Sequence, residues 1–346
     1  MTKISQSPST INKILNALKR TLSSAKKLLV VLHDNPDPDA LASGMALKAL
    51  CEQHFDLQVT VTYGGLINRA ENKAMVQELE IEIVPFDSID VKSFDRIATV
   101  DTQPGRGNNA LPKKAHCHVV FDHHASSNSG KSDLIVYNRK IGATVTLLGE
   151  LLLESGLEIK PYLATAVVYA IRTETQELRR EATKRDISVY LKLYPLCSLK
   201  KLGLIAQPTL PHEYFEMLLI ALQKAQIFRQ ILYVPIGEVD SPEIVAEMAD
   251  FFLRRERVTW VLVTGLYESS MYLSLRTTHM KGQAFRVMQK VIDDRVNAGG
   301  HETFAGGRID FDSFSEFKHI DEKLAARYAD IFGFKEVTWK KLLQAQ

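Results

Sequence analysis

The sequence has few cysteines, little net charge and no long apolar run. Its 346 residues include three cysteines, Cys51, Cys117 and Cys197, and none forms a C-x-x-C pair. This pattern argues against a thiolate zinc cluster and favours a reducing compartment. Lys and Arg number 43 against 41 Asp and Glu, so bulk charge does not suffice to hold long duplex DNA. No apolar stretch approaches the ~20 residues that cross a bilayer, and the first residues lack a signal-peptide core. We therefore expect a cytoplasmic protein that acts neither at membranes nor on long duplex DNA.

The pattern of apolar residues predicts an α/β fold. A length of 346 residues favours about two domains, and the 45% hydrophobic and 24% charged content is typical of globular chains. Predicted strands alternate with helices in the first half, over 28–32, 58–62, 81–84, 96–100 and 118–121. Such alternation indicates a doubly wound parallel sheet. We predict this parallel-sheet domain over 1–190, a helical connector over 191–228, and a smaller α/β domain with a mixed sheet over 229–346.

Polar side chains follow three of these strands, at the point where each strand ends. His33, Asp37 and Asp39 follow the first strand, Asp101 follows the strand at 96–100, and Asp122-His123-His124 follows the strand at 118–121. Asn, Asp and Pro also favour tight turns, so the run from Asn35 to Asp39 carries little weight alone. Because parallel strands end at one edge of a sheet, the three groups are expected to meet there.

Carboxylates with imidazole suit a divalent ion such as Mn²⁺ or Mg²⁺. Asp37 and Asp39 alternate along the loop and can point to two different ions, while Asp101 arrives from a neighbouring strand and can bridge them. A pair of ions ~3.5–4 Å apart can bind a phosphoryl group and lower the pKa of a bound water. The sequence therefore predicts a two-metal site for phosphate chemistry.

These motifs resemble the DHH phosphoesterase family, in the subgroup with the DHH-associated C-terminal domain. The resemblance rests on four motifs in order: His33-Asp34-Asn35-Pro36-Asp37-Pro38-Asp39-Ala40, Val100-Asp101-Thr102, Asp122-His123-His124 and Ala298-Gly299-Gly300-His301. It implies hydrolysis of phosphodiester or phosphomonoester bonds in short nucleotides. The implied substrates are RNA of a few residues, linear dinucleotides and adenosine 3′,5′-bisphosphate.

The resemblance also implies roles for individual residues. His33 and Asp37 would be ligands of one metal, Asp39 and His123 of the other, and Asp101 the bridging carboxylate.

His124 would face the scissile phosphate, where it neutralises charge or donates a proton. Asp122 would support the loop or orient a histidine. The family's fourth motif usually carries an aspartate, but here the matching position is Glu174, within Ala170-Ile171-Arg172-Thr173-Glu174-Thr175. Glutamate keeps the charge and adds one methylene of reach, so we predict a metal ligand there as well.

In the second half, Arg276 resembles the family arginine that grips a substrate phosphate with its planar fork. Gly299 and Gly300, in a glycine-rich loop over 298–307, would let backbone N–H groups approach phosphate, and His301 would add a donor. By contrast, a metal site is not predicted at His116 and His118, which lie two residues apart at the start of the predicted strand.

We therefore predict an enzyme with two Mn²⁺ or Mg²⁺ ions and an active site in the cleft between the domains. Its expected partners are a short RNA or dinucleotide substrate and a second copy of the chain in a homodimer. Two alternatives remain open. One is a pyrophosphatase or polyphosphatase, and the other is a nucleotide-binding sensor weakened in catalysis by Glu174.

Overall fold

A computed structural model describes residues 8–124, 132–138, 140–179, 182–293, 297–300, 302–311 and 314–343. The chain divides into two compact units, residues 1–208 and 209–346. The boundary between the two units falls inside the segment 191–228, which was predicted as a helical connector. No helix within the described residues combines the length and apolar character needed to cross a membrane.

The first unit alternates strands with helices. Its helices are α1 (Pro8–Leu22), α2 (Pro38–Phe55), α3 (Ala70–Glu78), α4 (Thr144–Glu154), α5 (Pro161–Glu174), α6 (Lys184–Leu193) and α7 (Leu199–Ala206). Its strands are β1 (Lys27–Val31), β2 (Gln58–Tyr63), β3 (Val84–Pro85), β4 (Arg96–Val100), β5 (Cys117–Asp122) and β6 (Ser132–Tyr137).

All six strands of the first unit form one parallel sheet in the order β3-β2-β1-β4-β5-β6. The predicted doubly wound parallel sheet is confirmed, since the order reverses between β1 and β4. Ligands of such sheets bind beyond the carboxyl ends of the strands at this reversal. The residues that follow β1, β4 and β5 therefore lie where the fold class places its site.

The two faces of this sheet are covered differently. Leu28, Val30 and Leu32 are fully buried in the large core formed with α1, α2, α4 and α5. Leu29 and Val31 face a smaller cluster, which includes Leu111 and side chains of two short 3₁₀ turns at Phe86–Ser88 and Val91–Ser93. Alternate residues of β1 thus bury both faces, which is why the strand reads as a continuous apolar run.

The strand predicted over 81–84 is largely wrong. Only Val84 and Pro85 pair with β2, and Ile81 instead turns back so that its N–H donates to the carbonyl of Val76. Ile81 is apolar because it packs in the core at the end of α3. Proline at the edge of the sheet also cannot continue the ladder as a donor.

The second unit contains α8 (His212–Lys224), α9 (Glu243–Phe252), α10 (Ala284–Ile292) and α11 (Phe314–Ile331). Its strands are β7 (Gln226–Phe228), β8 (Ile231–Glu238), β9 (Trp260–Tyr267), β10 (Ser270–Thr277), β11 (Ala298–Gly300), β12 (Phe304–Asp310) and β13 (Lys340–Lys341). They form one sheet in the order β11-β12-β10-β9-β8-β7-β13. Only β8 and β9 pair in parallel, so the predicted mixed sheet is confirmed.

The glycine-rich segment of this unit is not the predicted loop. It forms the antiparallel pair β11–β12, in which Gly299 lies opposite Gly306. Gly300 has φ +148, and a Cβ there would lie 2.4 Å from the carbonyl oxygen of Phe304. Glycine is therefore required at 300 by the backbone itself, whatever the segment binds.

Candidate metal centre

The loop after β1 brings the first ligands together. Asp37 caps the N-terminus of α2, where its Oδ1 accepts a hydrogen bond from the Ala40 N–H at 3.0 Å, and Pro38 begins the helix. The Nε2 atom of His33 lies 3.6 Å from Asp37 Oδ1 and 3.6 Å from Asp101 Oδ2. These three side chains form one group with metal-ligand spacing. The Nδ1 atom of His33 lies 2.9 Å from the carbonyl oxygen of Asp34, which leaves Nε2 facing the carboxylates.

A second group lies on the other side of Asp101. Its Oδ1 atom is 3.7 Å from His123 Nε2 and 3.5 Å from His124 Nδ1. Asp101 therefore offers Oδ2 to the first group and Oδ1 to the second. Asp101 also adopts a left-handed backbone conformation, with φ 56. Aspartate tolerates this conformation better than most residues do, and here the two groups share this one carboxylate.

His123 provides the test of whether a cation fits. Its Nδ1 lies 3.3 Å from the carbonyl oxygen of Ile141, an arrangement in which Nδ1 holds the proton and donates it. Its Nε2 is buried and has no hydrogen-bond partner among the described residues. That nitrogen instead faces Asp101 Oδ1 and, at 3.9 Å, Asp39 Oδ2. A buried lone pair opposite two carboxylates fits a positive ion.

Asp39 is fully enclosed beside this second group. Its Oδ2 accepts from the Thr144 N–H at 2.7 Å and its Oδ1 from the Val145 N–H at 2.8 Å. These bonds hold the carboxylate against His123, although Asp39 belongs to neither of the two groups described above.

Burial shapes the charges of the centre. Burial raises the pKa of Asp39 well above its ordinary value, and the charges of Asp101, Glu174 and Asp37 raise it further. Burial also raises the pKa of Asp101, against the nearby histidines. Burial opposes protonation of His33. The hydrogen bond and charge of Asp37 nevertheless raise the pKa of His33 to about 10, together with the charge of Asp101. The carboxylates thus need positive charge nearby, and divalent cations supply more of it than protons.

His124 is held by Asp122. The fully buried Asp122 accepts from the His124 N–H at 3.1 Å and lies 2.9 Å from its Nδ1, both through Oδ1. The side-chain amide of Gln103 donates to the other oxygen, Oδ2, and Arg106 lies 3.9 Å from the same atom. Burial disfavours the charged ring, but the hydrogen bond to Asp122 and the charge of Asp101 raise the pKa of His124 to about 9. Asp122 therefore orients the ring, while its own contacts keep it in place.

Glu174 belongs to neither group. It is the last residue of α5, and the residue is exposed. Its charge still raises the pKa of Asp39 and of His124, so it lies within electrostatic reach of the centre. Its role as a ligand stays a prediction.

The structure brings His116 and His118 together. Their ring centroids lie 4.7 Å apart because residues two positions apart in an extended chain point to the same face, and His116 Nε2 lies 3.2 Å from Asp133. The three side chains have metal-ligand spacing. The N–H of Ile97, however, donates to His118 Nδ1 at 3.0 Å, so the neutral ring carries its proton on Nε2. His118 thus has no lone pair to offer while this bond persists, and we assign no metal site here.

The predicted substrate residues lie in the second unit. Arg276 donates to Asp250 through Nε and to Ser274 Oγ through Nη1, and its guanidinium lies 5.6 Å from the centre of the Phe304 ring. Arg276 and Gly299 line a cavity of about 440 Å³, whereas Gly300 is not among its lining residues. His301 lies outside the described residues. A phosphate at Arg276 would have to share or displace Asp250.

Thr144 belongs to the centre, although the sequence did not single it out. Its hydroxyl donates to Asp101 Oδ1 at 2.7 Å, and its N–H donates to Asp39. One sequence signal could have indicated it. Gly142-Ala143-Thr144 precede an apolar helical stretch, and such a run is typical of the start of a helix.

Comparison with known proteins identifies the N-terminal part of the chain. A sequence profile of the DHH family, N-terminal domain, matches residues 27–171. This segment is a DHH family N-terminal domain. The match includes every predicted metal ligand except Glu174. Membership of the subgroup with the DHH-associated C-terminal domain stays a prediction.

Two relatives share sequence with the chain. It is 30% identical over 320 residues to an uncharacterized protein of Methanocaldococcus jannaschii, covering 89% of this chain and 65% of that protein. It is 25% identical over 163 residues to a probable manganese-dependent inorganic pyrophosphatase of Staphylococcus epidermidis, covering 46% of this chain and 52% of the relative. The chain thus spans less than two thirds of either relative. Manganese is the cofactor in the second relative's name. Residues 27–171 of this chain hold groups of Asp and His side chains with metal-ligand spacing.

A solved structure shares the fold of the first unit and the fold of the second unit. It is an exopolyphosphatase-related protein from Bacteroides fragilis, with a TM-score of 0.73 and 16% identity over 96% of this chain and 100% of that one. At this identity the likeness shows the fold alone.

Proposed function

We propose that the protein is a metal-dependent phosphoesterase that hydrolyses short oligonucleotides or linear dinucleotides to nucleoside monophosphates. The observation that carries this proposal is Asp101, whose two oxygens face two separate groups of ligands. When bound, two Mn²⁺ or Mg²⁺ ions would activate water and stabilise charge on the phosphate. His33 and Asp37 would hold one ion, and Asp39, His123 and Glu174 the other.

The chain's own groups would then handle the substrate. His124, oriented by Asp122, would face the phosphate and donate a proton or a hydrogen bond to the departing oxygen. The hydrogen bond between its Nδ1 and Asp122 favours the protonated form that such a donor needs. Gln103 and Asp122 would keep the ring from turning away.

The second unit supports a nucleotide rather than pyrophosphate. Its cavity combines Arg276 and Arg308 with the rings of Tyr272 and Phe304. Arginines suit phosphate, and aromatic rings suit a base, which pyrophosphate lacks. We propose that this cavity binds the nucleoside end of the substrate, together with the backbone at Gly299 and Gly300 and the side chain of His301.

One experiment separates the candidate functions. The purified protein with Mn²⁺ is incubated with dinucleotides, adenosine 3′,5′-bisphosphate and pyrophosphate, and products are followed by chromatography. We expect nucleoside monophosphates from dinucleotides. Phosphate from pyrophosphate alone would establish the pyrophosphatase alternative, which the similarity to the Staphylococcus epidermidis relative favours. Binding without turnover would establish the sensor.

We also propose that two copies of the chain associate. Ile187 and Leu191 of α6 and Tyr194 of the following turn share one helix face by their spacing, and they are 38%, 63% and 39% exposed. Exposed large apolar side chains on one face are typical of an interface. Light scattering should give a dimer for the wild type, and Leu191→Glu should shift it to a monomer while Lys192→Glu does not.

A further inference from the structure

The turn that begins α4 contacts three of the proposed metal ligands. Its Ile141 carbonyl faces His123 Nδ1 at 3.3 Å. Its Thr144 and Val145 N–H groups bind Asp39, and the Thr144 hydroxyl binds Asp101. Each of these ligands comes from a different part of the chain, so the turn is a shared point of support for the second group.

The helix start explains how Asp39 is held. The N-cap residue of α4, Ala143, has no side chain that can cap the helix. Asp39 supplies the cap from another helix, because its two oxygens accept the N–H groups of Thr144 and Val145. The N-terminus of a helix favours negative charge, so these bonds both fix and stabilise the buried carboxylate.

The Thr144 hydroxyl binds a different ligand from the backbone N–H groups, namely Asp101. It donates at 2.7 Å to Asp101 Oδ1, the oxygen that faces His123 and His124. The bond fixes the rotation of the shared carboxylate, so that Oδ2 is left toward His33. Thr144 is itself fully buried, so bulk solvent does not reach its hydroxyl.

Asp186 holds the turn through two hydrogen bonds. This carboxylate is fully buried and accepts from the Gly142 N–H at 3.0 Å and from the Thr146 hydroxyl. It also closes a capping box at the start of α6 with Thr183. Asp186 therefore ties the turn to α6 without touching any proposed ligand.

We infer that Thr144 is a positioning residue of the metal centre, whose hydroxyl orients the shared carboxylate of Asp101, and that Asp186 anchors the turn that carries it. This inference rests on the proposed metal-dependent function. Groups that orient a ligand usually change metal affinity by about 10–100-fold when removed. The affected ion would be the one that Asp39, Asp101 and His123 hold.

The test compares variants of Thr144 with a matched threonine. Thr144→Val and Thr144→Ala remove the hydroxyl, and Thr144→Ser keeps it. Thr165→Val is the control, because Thr165 is equally buried but its hydroxyl bonds the Pro161 carbonyl and the Ser198 N–H, neither of which belongs to the metal centre. Mn²⁺ binding is measured by calorimetry, and the bound ions are examined by electron paramagnetic resonance. Thermal melting followed by circular dichroism verifies that each metal-free variant is folded.

We expect Thr144→Val and Thr144→Ala to bind one equivalent of Mn²⁺ at least about tenfold more weakly and to change the resonance spectrum of the loaded protein. Thr144→Ser and Thr165→Val should match the wild type. Asp186→Asn should weaken the same equivalent by a smaller factor. Wild-type isotherms and spectra for both Thr144→Val and Thr144→Ala would overturn the inference. A wild type that binds Mn²⁺ but cleaves no substrate would instead overturn the proposed function and leave the inference intact.

Discussion

Two clusters of histidine and aspartate lie at opposite ends of β5, and only one is built to hold a metal. At the amino end, His118 accepts the Ile97 N–H on Nδ1, so its proton sits on Nε2. At the carboxyl end, the Nδ1 of His123 faces the Ile141 carbonyl, so its Nε2 presents a lone pair to Asp39 and Asp101. Residue types and spacing are alike in the two clusters. The partner of the second ring nitrogen decides which of them binds a cation.

The largest expected effect breaks the centre at its shared ligand. Asp101→Asn removes a charge from both groups, so we expect turnover to fall by about 100-fold or more at saturating Mn²⁺. The control is Asp133→Asn in the other cluster, which should leave turnover within about twofold. Near-wild-type turnover with normal metal content in Asp101→Asn would refute the two-metal assignment.

The next prediction exchanges the histidines themselves. His123→Asn retains a donor for the Ile141 carbonyl but loses the nitrogen that faces the carboxylates, so Mn²⁺ affinity should fall at least about tenfold. His118→Asn retains an acceptor for Ile97, so Mn²⁺ affinity should be unchanged and the free energy of unfolding should fall by less than about 1 kcal/mol. Calorimetry and urea unfolding measure the two quantities. Equal losses of Mn²⁺ affinity in both variants would remove the distinction between the clusters.

Arg276 extends the comparison to a side chain that already has a partner. Like His118, it is engaged within the protein, here by Asp250 and Ser274. If substrate phosphate replaces Asp250, Arg276→Ala should raise KM for a dinucleotide about tenfold, since a hydrogen bond to a charged group contributes roughly 1.5–3 kcal/mol. Mn²⁺ binding should not change. Steady-state kinetics decide the matter, and an unchanged KM would show that the arginine is only structural.

The smallest expected effect concerns Glu174, a proposed ligand whose charge reaches Asp39 and His124. Glu174→Gln should weaken one equivalent of Mn²⁺ by roughly threefold to tenfold, and excess Mn²⁺ should partly restore the rate. Glu174→Asp should stay active. Glu177→Gln is a control three residues along, where the carboxylate pairs with Arg172 instead. Identical isotherms for the wild type and Glu174→Gln would exclude Glu174 from the site.

Local patterns predicted much of this molecule. The apolar run before His33 indicated a strand buried on both faces, and its ending in Asn, Asp and Pro residues placed polar side chains at the carboxyl end. The parallel sheet and the edge where His33, Asp101 and His123 meet follow from that alternation, because parallel strands share their carboxyl ends. These features depend on residues close together in the chain.

Tertiary structure alone decided the remaining features. The hydrogen bond from Thr144 to Asp101 joins residues 43 positions apart, and the one from Gly142 to Asp186 spans 44. The strand at Gly299 exists because β12 pairs with it, whereas glycine by itself indicates a turn. The choice between His118 and His123 depends on which backbone group each ring meets across the fold. Composition and spacing nominate ligand types, but only packing sets which nitrogen of a histidine keeps its lone pair.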